Sequence, residues 1–298
     1  MARPTGAECA VALDIEGEVT ALPFTEDTLR LQPVVETRMP LLGAAVPAYE
    51  RVRGHATTGC VVTRVGRASL PALLAACLGE REEAVHVPET RGLFATAFSL
   101  CDTFDGFPSF DLVADRGVER VRYRGLRSRG FEMRGLVDEP LYVRVDVSGG
   151  EAEASFEAMP ELSDEEHFSL EAGSVVVDGV AMPDVYEIAL AVESGLQWYA
   201  GGRARNGGKT VSFTMHAPLD VAVSATLERE SHTVELRFAL VNTFPEPNHV
   251  PELSVRLEDM ILRKEQKEPD SPDELCSPYR FVGLGRVSAE VVREEFRT

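Results

Sequence analysis

Tryptophan occurs once, at Trp198, and aromatic residues make up 7% of the chain. Sugar-binding grooves present aromatic stacking platforms, so glycosidase and lectin readings lose weight, although a carboxylate pair for glycoside hydrolysis need only meet in space. Basic residues are outnumbered, 30 to 49, for a net charge of −19. Wrapping nucleic acid through phosphate neutralisation needs clustered Lys and Arg, and DNA near such a chain is repelled. Cysteine is scarce: Cys9, Cys60, Cys77, Cys101 and Cys276 are an odd count without metal-ligand spacing. They read as free thiols of a reducing compartment rather than a disulfide framework. Long apolar runs are missing. The longest, around "LPALLAACL", is too short to cross a bilayer, and Glu8, Asp14 and Glu16 interrupt the start where a secretory signal needs unbroken apolar residues. A soluble cytoplasmic product is expected.

Catalytic signatures are also missing. There is no GxSxG elbow, P-loop or dinucleotide fingerprint, and "GLGR" at 283–286 lacks a βαβ context. His55, His86, His167, His216, His232 and His249 stand at no metal spacing. Asp164, Glu165 and Glu166 adjoin one another, whereas a calcium loop alternates its ligands around a glycine. No catalytic residue, metal or cofactor is expected.

Strand signals fill the chain. "CAVALDIEG", "SFDLVAD", "VERVRYRGL", "PLYVRVDVSG", "VYEIALAVE", "KTVSFTMHA", "HTVELRFALV" and "ELSVRLEDMIL" are short, rich in β-branched or aromatic residues, and bounded by Gly, Pro, Asp or Asn. One helix breaks the pattern, over 69–79: Ser69 as cap, Pro71 in the first turn, Gly79 as closure, with a broad apolar surface that calls for burial. A second helix is allowed only near 273–276. Residues 33–55 and 80–108 read as irregular, and loops of that length usually bind something. Residues 264–275 read as a solvated linker before a terminal strand.

An internal repeat is visible. Residues 11–31 and 175–196 both read as strand, acidic turn, strand, each followed by an irregular stretch and a glycine-led strand, from Gly59 and from Gly208. The expected fold is all-β with one flanking helix, a β-sandwich or barrel, possibly in two tandem units: 1–150, 151–263, then a linker and arm strand over 264–298.

Two polar patterns matter for function. Arg120, Arg122, Arg124, Arg127, Arg129 and Arg134 form either a nucleic-acid patch or, in a chain of this charge, an ion-paired polar face; the second is preferred. In "VYEIALAVE", Tyr186, Ile188, Leu190 and Val192 point one way and Glu187, Ala189, Ala191 and Glu193 the other. A sheet with a small, acidic outer face, repeated around a ring, makes a channel that repels phosphate.

The succession "LPFTEDTLRL", "GHATTGCVVTRV", "SLPALLAACLG", "FPSFDLVAD", "VRYRGLRSRGFEM", "EPLYVRVDVSGGEA", "FSLEAGSVVVDG", "VYEIALAVESGLQ" resembles the tail tube proteins of long-tailed bacteriophages and prophages, over about residues 20 to 262. Tyr123 to Gly125 and Val176 to Gly179 match two of that family's motifs, while Glu193, Ser194 and Gly195 stand where its asparagine pair often ends a strand. The resemblance implies a homo-oligomeric ring, six single units or a pseudo-hexameric trimer, stacked into a tube through which DNA passes without specific binding. It implies other tail proteins as partners (tape measure, distal tail, terminator), no membrane, and a virion tail assembled in the host bacterial cytoplasm. Met39, Leu41, Leu42, Val46 and Tyr49 then become interface candidates, since they would be odd on a free surface. Glu187 and Glu193 become lumen candidates. The alternatives are a tube-related hub or injection-machine component, a β-sandwich glycan-binding module, and a hydrolase whose catalytic pair is invisible in sequence.

Overall fold

A computed structural model describes residues 9–38, 49–88, 93–102, 107–162, 166–199, 203–206, 208–218, 230–240, 252–263, 276–283 and 286–294. The first half runs β1 (Ala10–Ile15), β2 (Glu18–Leu22), β3 (Phe24–Asp27), β4 (Arg30–Arg38), β5 (Tyr49–Arg64), α1 (Leu70–Leu78), β6 (Gly79–Arg81), β7 (Val85–His86), β8 (Leu93–Leu100), β9 (Phe110–Asp115), β10 (Arg120–Leu136) and β11 (Tyr142–Ala154). The second runs β12 (Phe168–Val177), β13 (Val180–Ala181), β14 (Glu187–Glu193), β15 (Leu196–Tyr199), β16 (Arg203–Asn206), β17 (Thr210–Pro218), β18 (His232–Leu240), β19 (Leu253–Arg263), β20 (Cys276–Gly283) and β21 (Arg286–Glu294). The protein is all-β with one helix among the described residues, and no described helix is long and apolar enough to cross a membrane.

The two halves share one connectivity. In the first, the antiparallel order is β2, β1, β9, β10, β11, β5, with β3 and β4 both on the far edge of β5. In the second it is β13, β12, β18, β19, β20, β17, β14. Matching strands also occur in the same chain order. Both halves open on a hairpin whose two turn residues have positive φ, Glu16 with Gly17 and Asp178 with Gly179, the geometry that suits the twist of paired strands. β20 and β21 run along β19 with a one-residue slip between them, Val282 opposite Ile261 and Arg286 opposite Glu258, and together hold the place that β11 holds beside β10. Residues 276–283 and 286–294 therefore lie within the second sheet arrangement.

Two ladders join the halves, β10 with β14 and β8 with β21. The first creates a continuous eight-stranded sheet, β3 and β4 counted as one bent strand: β4, β5, β11, β10, β14, β17, β20, β19. Followed strand to strand, the ladders among the described residues branch without returning to their start, so the described sheet is not closed into a barrel. The isolated bridges Gly66–His167 and Pro140–Ser169 tie the first half to the start of β12.

Several sequence expectations change here. The stretch 33–55 is not an irregular loop where described: β4 and β5 pair from Arg30 opposite Thr58 to Arg38 opposite Tyr49. Of 80–108, most of the described part lies in β6, β7 and β8. Residues 273–275 are outside the described residues, and Cys276 opens a strand rather than a helix.

Helix α1 ends as expected, with Gly79 at φ 95° donating its N–H to Ala75 O, but Ser69 makes no side-chain cap. Its hydroxyl donates instead to Gly66 O at 3.4 Å. Leu70, Leu73, Leu74, Ala76, Cys77 and Leu78 are buried, and Leu73 and Ala76 share a small apolar gap with Leu13, Leu22, Leu112 and Val145. Burial on several sides is why the helix lacks a polar face. Leu74→Ala is expected to cost about 2–3 kcal/mol in urea unfolding, the lost methyl groups plus a partly relaxed cavity. A change within error would place the helix at the periphery.

Burial also pushes the Cys77 thiol from 9.0 up to about 12, against the pull of the Ser128 hydrogen bond and helped by the Asp146 charge. The folded state thus keeps a proton that the unfolded chain loses above its ordinary value. Stability from this site is complete below about pH 9 and is lost as pH rises towards 12. Alkaline unfolding of Cys77→Ala is expected to fall less steeply over that window than that of the parent; parallel curves would overturn the assignment.

Candidate functional site

The eight-stranded sheet has one face on the core and one open. On β14, Ile188, Leu190 and Val192 are buried, and strand alternation sends Glu187, Ala189, Ala191 and Glu193 to the open face. Antiparallel partners share a face, so the registers define rows across the sheet. One row runs Glu26, Val62, Arg144, Glu132, Ala191, Ser212, Val282, Ile261. The next runs Arg64, Tyr142, Arg134, Ala189, Thr214, Arg280, Arg263. Small side chains occupy the middle; charged ones flank them on both sides in the second row and on one side in the first, which ends in Val282 and Ile261 on the other.

Two of the arginines are ion-paired. Arg134 reaches Glu132 at 2.7 Å and Arg144 reaches Asp146 at 3.0 Å. The hydrogen bond to Asp146, with its charge, holds the Arg144 guanidinium above its ordinary value. Thr210 donates its hydroxyl to Glu193 at 3.2 Å. Glu187 lies 3.9 Å from His216, whose Nδ1 is 3.2 Å from the Tyr186 hydroxyl. A groove of ≈ 760 Å³ runs over this face, lined by Thr58, Cys60, Arg144, Glu132, Ala191 and Glu193 among others.

Both lumen candidates therefore stand on one open face, yet that face is not acidic throughout. Arginines at 64, 134, 144, 263 and 280 share this face with the carboxylates of Glu26, Glu132, Asp146, Glu187 and Glu193. The single-strand pattern missed them because they arrive from strands distant in sequence; the alternation of "YVRVD" was the available signal. Of the interface candidates, Met39, Leu41, Leu42 and Val46 lie outside the described residues, and Tyr49 opens β5 opposite Arg38.

On the arginine-rich strand, Arg120, Arg122, Arg124 and Arg134 are ion-paired. Arg122, 14% exposed, meets Asp14 at 2.6 Å, Asp111 at 2.8 Å and Glu157 at 2.6 Å. Arg120 pairs with Asp115, and Arg124 with Glu153 at 2.6 Å. Burial opposes ionisation of Asp115, but the Gly117 N–H and the Arg120 guanidinium together hold its carboxyl below the ordinary value. Guanidinium groups so engaged are poor phosphate ligands.

Among the described residues, no three His, Cys, Asp or Glu side chains stand close enough to hold a metal ion. Asp164 and Glu165 lie outside the described residues, and the Glu166 carbonyl accepts the Arg67 N–H. His232 is buried, its Nδ1 2.8 Å from Asp178, whose other oxygen accepts the Thr233 N–H. That arrangement fixes the β12–β13 turn.

The sheet also carries two uncovered edges among the described residues. β3 and β4 pair only with β5. β18 follows β19 no further than Met260, so Ile261–Arg263 bond to β20 alone. The chain matches no family model and no curated protein sequence.

Proposed function

We propose that the chain is a structural subunit without an active site, which assembles head to tail into rings and stacks them into a hollow tube, the tail tube of a phage or prophage-derived particle. The observation that carries this reading is the repeated connectivity. A chain that joins two like units edge to edge, and leaves a like edge open at each end of its sheet, is built to continue. Uncovered edges are otherwise an aggregation hazard.

Size supports three chains per ring. With strands about 4.8 Å apart and tilted about 40°, three chains of eight strands enclose a wall about 50 Å across, and two chains about 30 Å. The wider wall admits a DNA duplex; side chains narrow the other to about the duplex itself. The lining would be the open face, where the small residues in the middle give DNA little to hold and the ion-paired Arg134 and Arg144 offer phosphate few free donors. Tape measure, distal tail and terminator proteins are the partners this role requires, and the virion tail is its place.

Negative-stain electron microscopy of the concentrated protein with light-scattering mass tests the proposal. Rings or tubes with three chains per ring are expected. A monomer at all concentrations, retaining a glycan, would overturn it in favour of a binding module.

A further inference from the structure

Two rows of the first half's sheet point away from the core. The registers place Ala21, Ala12, Val113 and Arg122 along one, and Val19, Asp14 and Asp111 along the next. Ala12 and Val113 are buried all the same, because the segment that follows β11 passes over them as a strap. Its start is tied to β10 at three points: the Ser155 N–H donates to Arg120 O at 2.9 Å, the Arg120 guanidinium donates to Glu157 O, and Arg122 holds the Glu157 carboxylate at 2.6 Å. Between strap and strands lies a pocket of ≈ 300 Å³, floored by Ala12 and Val113, walled by Val19, Met159 and Pro160, and reached by Asp14, Arg122 and Glu157. It shares no lining residue with the groove over the open face.

We propose that this pocket docks a partner protein, a segment of which seats an apolar side chain between strap and strands and sets Lys or Arg against the rim. The site stands whether or not the chain forms rings. Its apolar surface is left open: Phe156, next to Glu157 on the strap, is 93% exposed, Leu162 is 59% exposed and Val19 is 48% exposed. Apolar residues scattered singly on a surface need no explanation, but these three belong to the strap and wall of one preformed cavity, whose volume is in the range of binding sites.

Charge selects the partner. Glu18 adjoins Val19 and Glu161 adjoins Pro160; both are exposed, and neither is ion-paired among the described residues. The arginines of this end of β10 cannot serve them, because Arg120 is held by Asp115, Arg122 by Asp14, Asp111 and Glu157, and Arg124 by Glu153. A second copy would bring the same unpaired carboxylates to the contact, on a chain whose net charge is −19, and be repelled. A basic segment is drawn in, its cations meeting the rim while the apolar anchor supplies the buried centre.

The test uses the full chain and three fluorescent peptides read by anisotropy. One carries Leu-Phe between two Lys-Lys pairs, the second has Glu in place of each Lys, and the third has Ser-Ser in place of Leu-Phe. The first is expected to bind about tenfold more tightly than either of the others, since each of those lacks one of the two features, and to weaken as salt is added. Val19→Ser/Phe156→Ser, which strips apolar surface, and Glu18→Lys/Glu161→Lys, which reverses the rim, should each weaken it about tenfold. All four positions are exposed, so these variants keep the fold. Glu171→Lys/Glu290→Lys makes the same change of net charge at exposed positions of the second half and should leave binding unaltered. Equal affinity for the three peptides, or an equal loss in that control, would reduce the contact to general charge attraction and overturn the site. So would absence of binding by the first peptide at about 1 mM, the weak end of recognition. If the peptide fails to bind and Val19→Ser/Phe156→Ser instead lowers the light-scattering mass, the patch belongs to a second copy and the partner reading falls.

Discussion

Gly150→Ala is expected to lower the unfolding free energy by about 4–5 kcal/mol, enough to leave a chain of ordinary stability barely folded. Gly150 has φ +72°, and an added Cβ would lie 1.7 Å from Arg124 O and 2.8 Å from Arg124 C. The obstacle is the backbone of the partner strand, so no side chain can swing aside. The position is where the long β10–β11 pair bends: Arg124 faces Glu151, Leu126 faces Gly149, and Gly125, itself at φ +65°, passes close to Gly150. Relieving the clash would part the strands at their bend. Gly17→Ala separates the two contributions, because Gly17 has φ +90° and nothing within 4 Å of an added Cβ. Only the left-handed conformation is then penalised, by about 1–2 kcal/mol. Equal midpoint shifts for the two variants in denaturant unfolding would refute the account.

Much of the fold was legible. Strict alternation in "VYEIALAVE" gave both faces of β14, and Pro71 with Gly79 bounded the helix. What failed did so for identifiable reasons. β4 hides its alternation because its pairing slips between Val34 and Val35 and because Pro33 sits in an edge strand, the position where proline is tolerated. Ser69 follows a sequence rule for caps, but its hydroxyl turns back to Gly66 O, which also accepts the Leu70 N–H. The repeat could be read as two strand–turn–strand units, yet local sequence could not reveal that β14 leaves its own hairpin to pair with β10.

The candidate site was legible one strand at a time. Glu187 and Glu193 point outward as alternation requires, but the charge of a face belongs to the whole row, and the row is assembled by long-range pairing. Arg144 and Arg134 reach it only because β11 and β10 lie between β5 and β14. The edges were less legible still. Whether a strand has a neighbour depends on every other strand, so Glu26 and Ile261 look like any exposed strand residues until the sheet order is known.

Arg122→Ala is expected to cost about 3–5 kcal/mol, whereas Arg124→Ala, two residues along the same strand, should cost no more than about 0.5 kcal/mol. The difference is burial and the number of partners. Arg124 and Glu153 are both about half exposed, with side chains at 56% and 48%, and water replaces what the pair loses. Arg122 is 14% exposed and binds Asp14 of β1, Asp111 of β9 and Glu157 beyond β11. Asp111 also accepts the Gly125 N–H at 2.9 Å, so it cannot turn away to solvent without breaking the β10 bend. Removing the guanidinium leaves Asp14 and Asp111 close together with no cation between them, a burden that salt screens poorly at a part-buried site. Arg122→Lys should recover little, because one ammonium cannot present Nε, Nη1 and Nη2 to three carboxylates at fixed angles. In urea unfolding the three variants should therefore rank Arg124→Ala, Arg122→Lys, Arg122→Ala in order of increasing loss. Hydrogen exchange should show β1 and β2 opening first in the last, since the β1–β2 hairpin is held to β10 through Asp14. Equal losses at Arg122 and Arg124 would mean that the cluster is solvated and that apolar packing alone holds the hairpin in place.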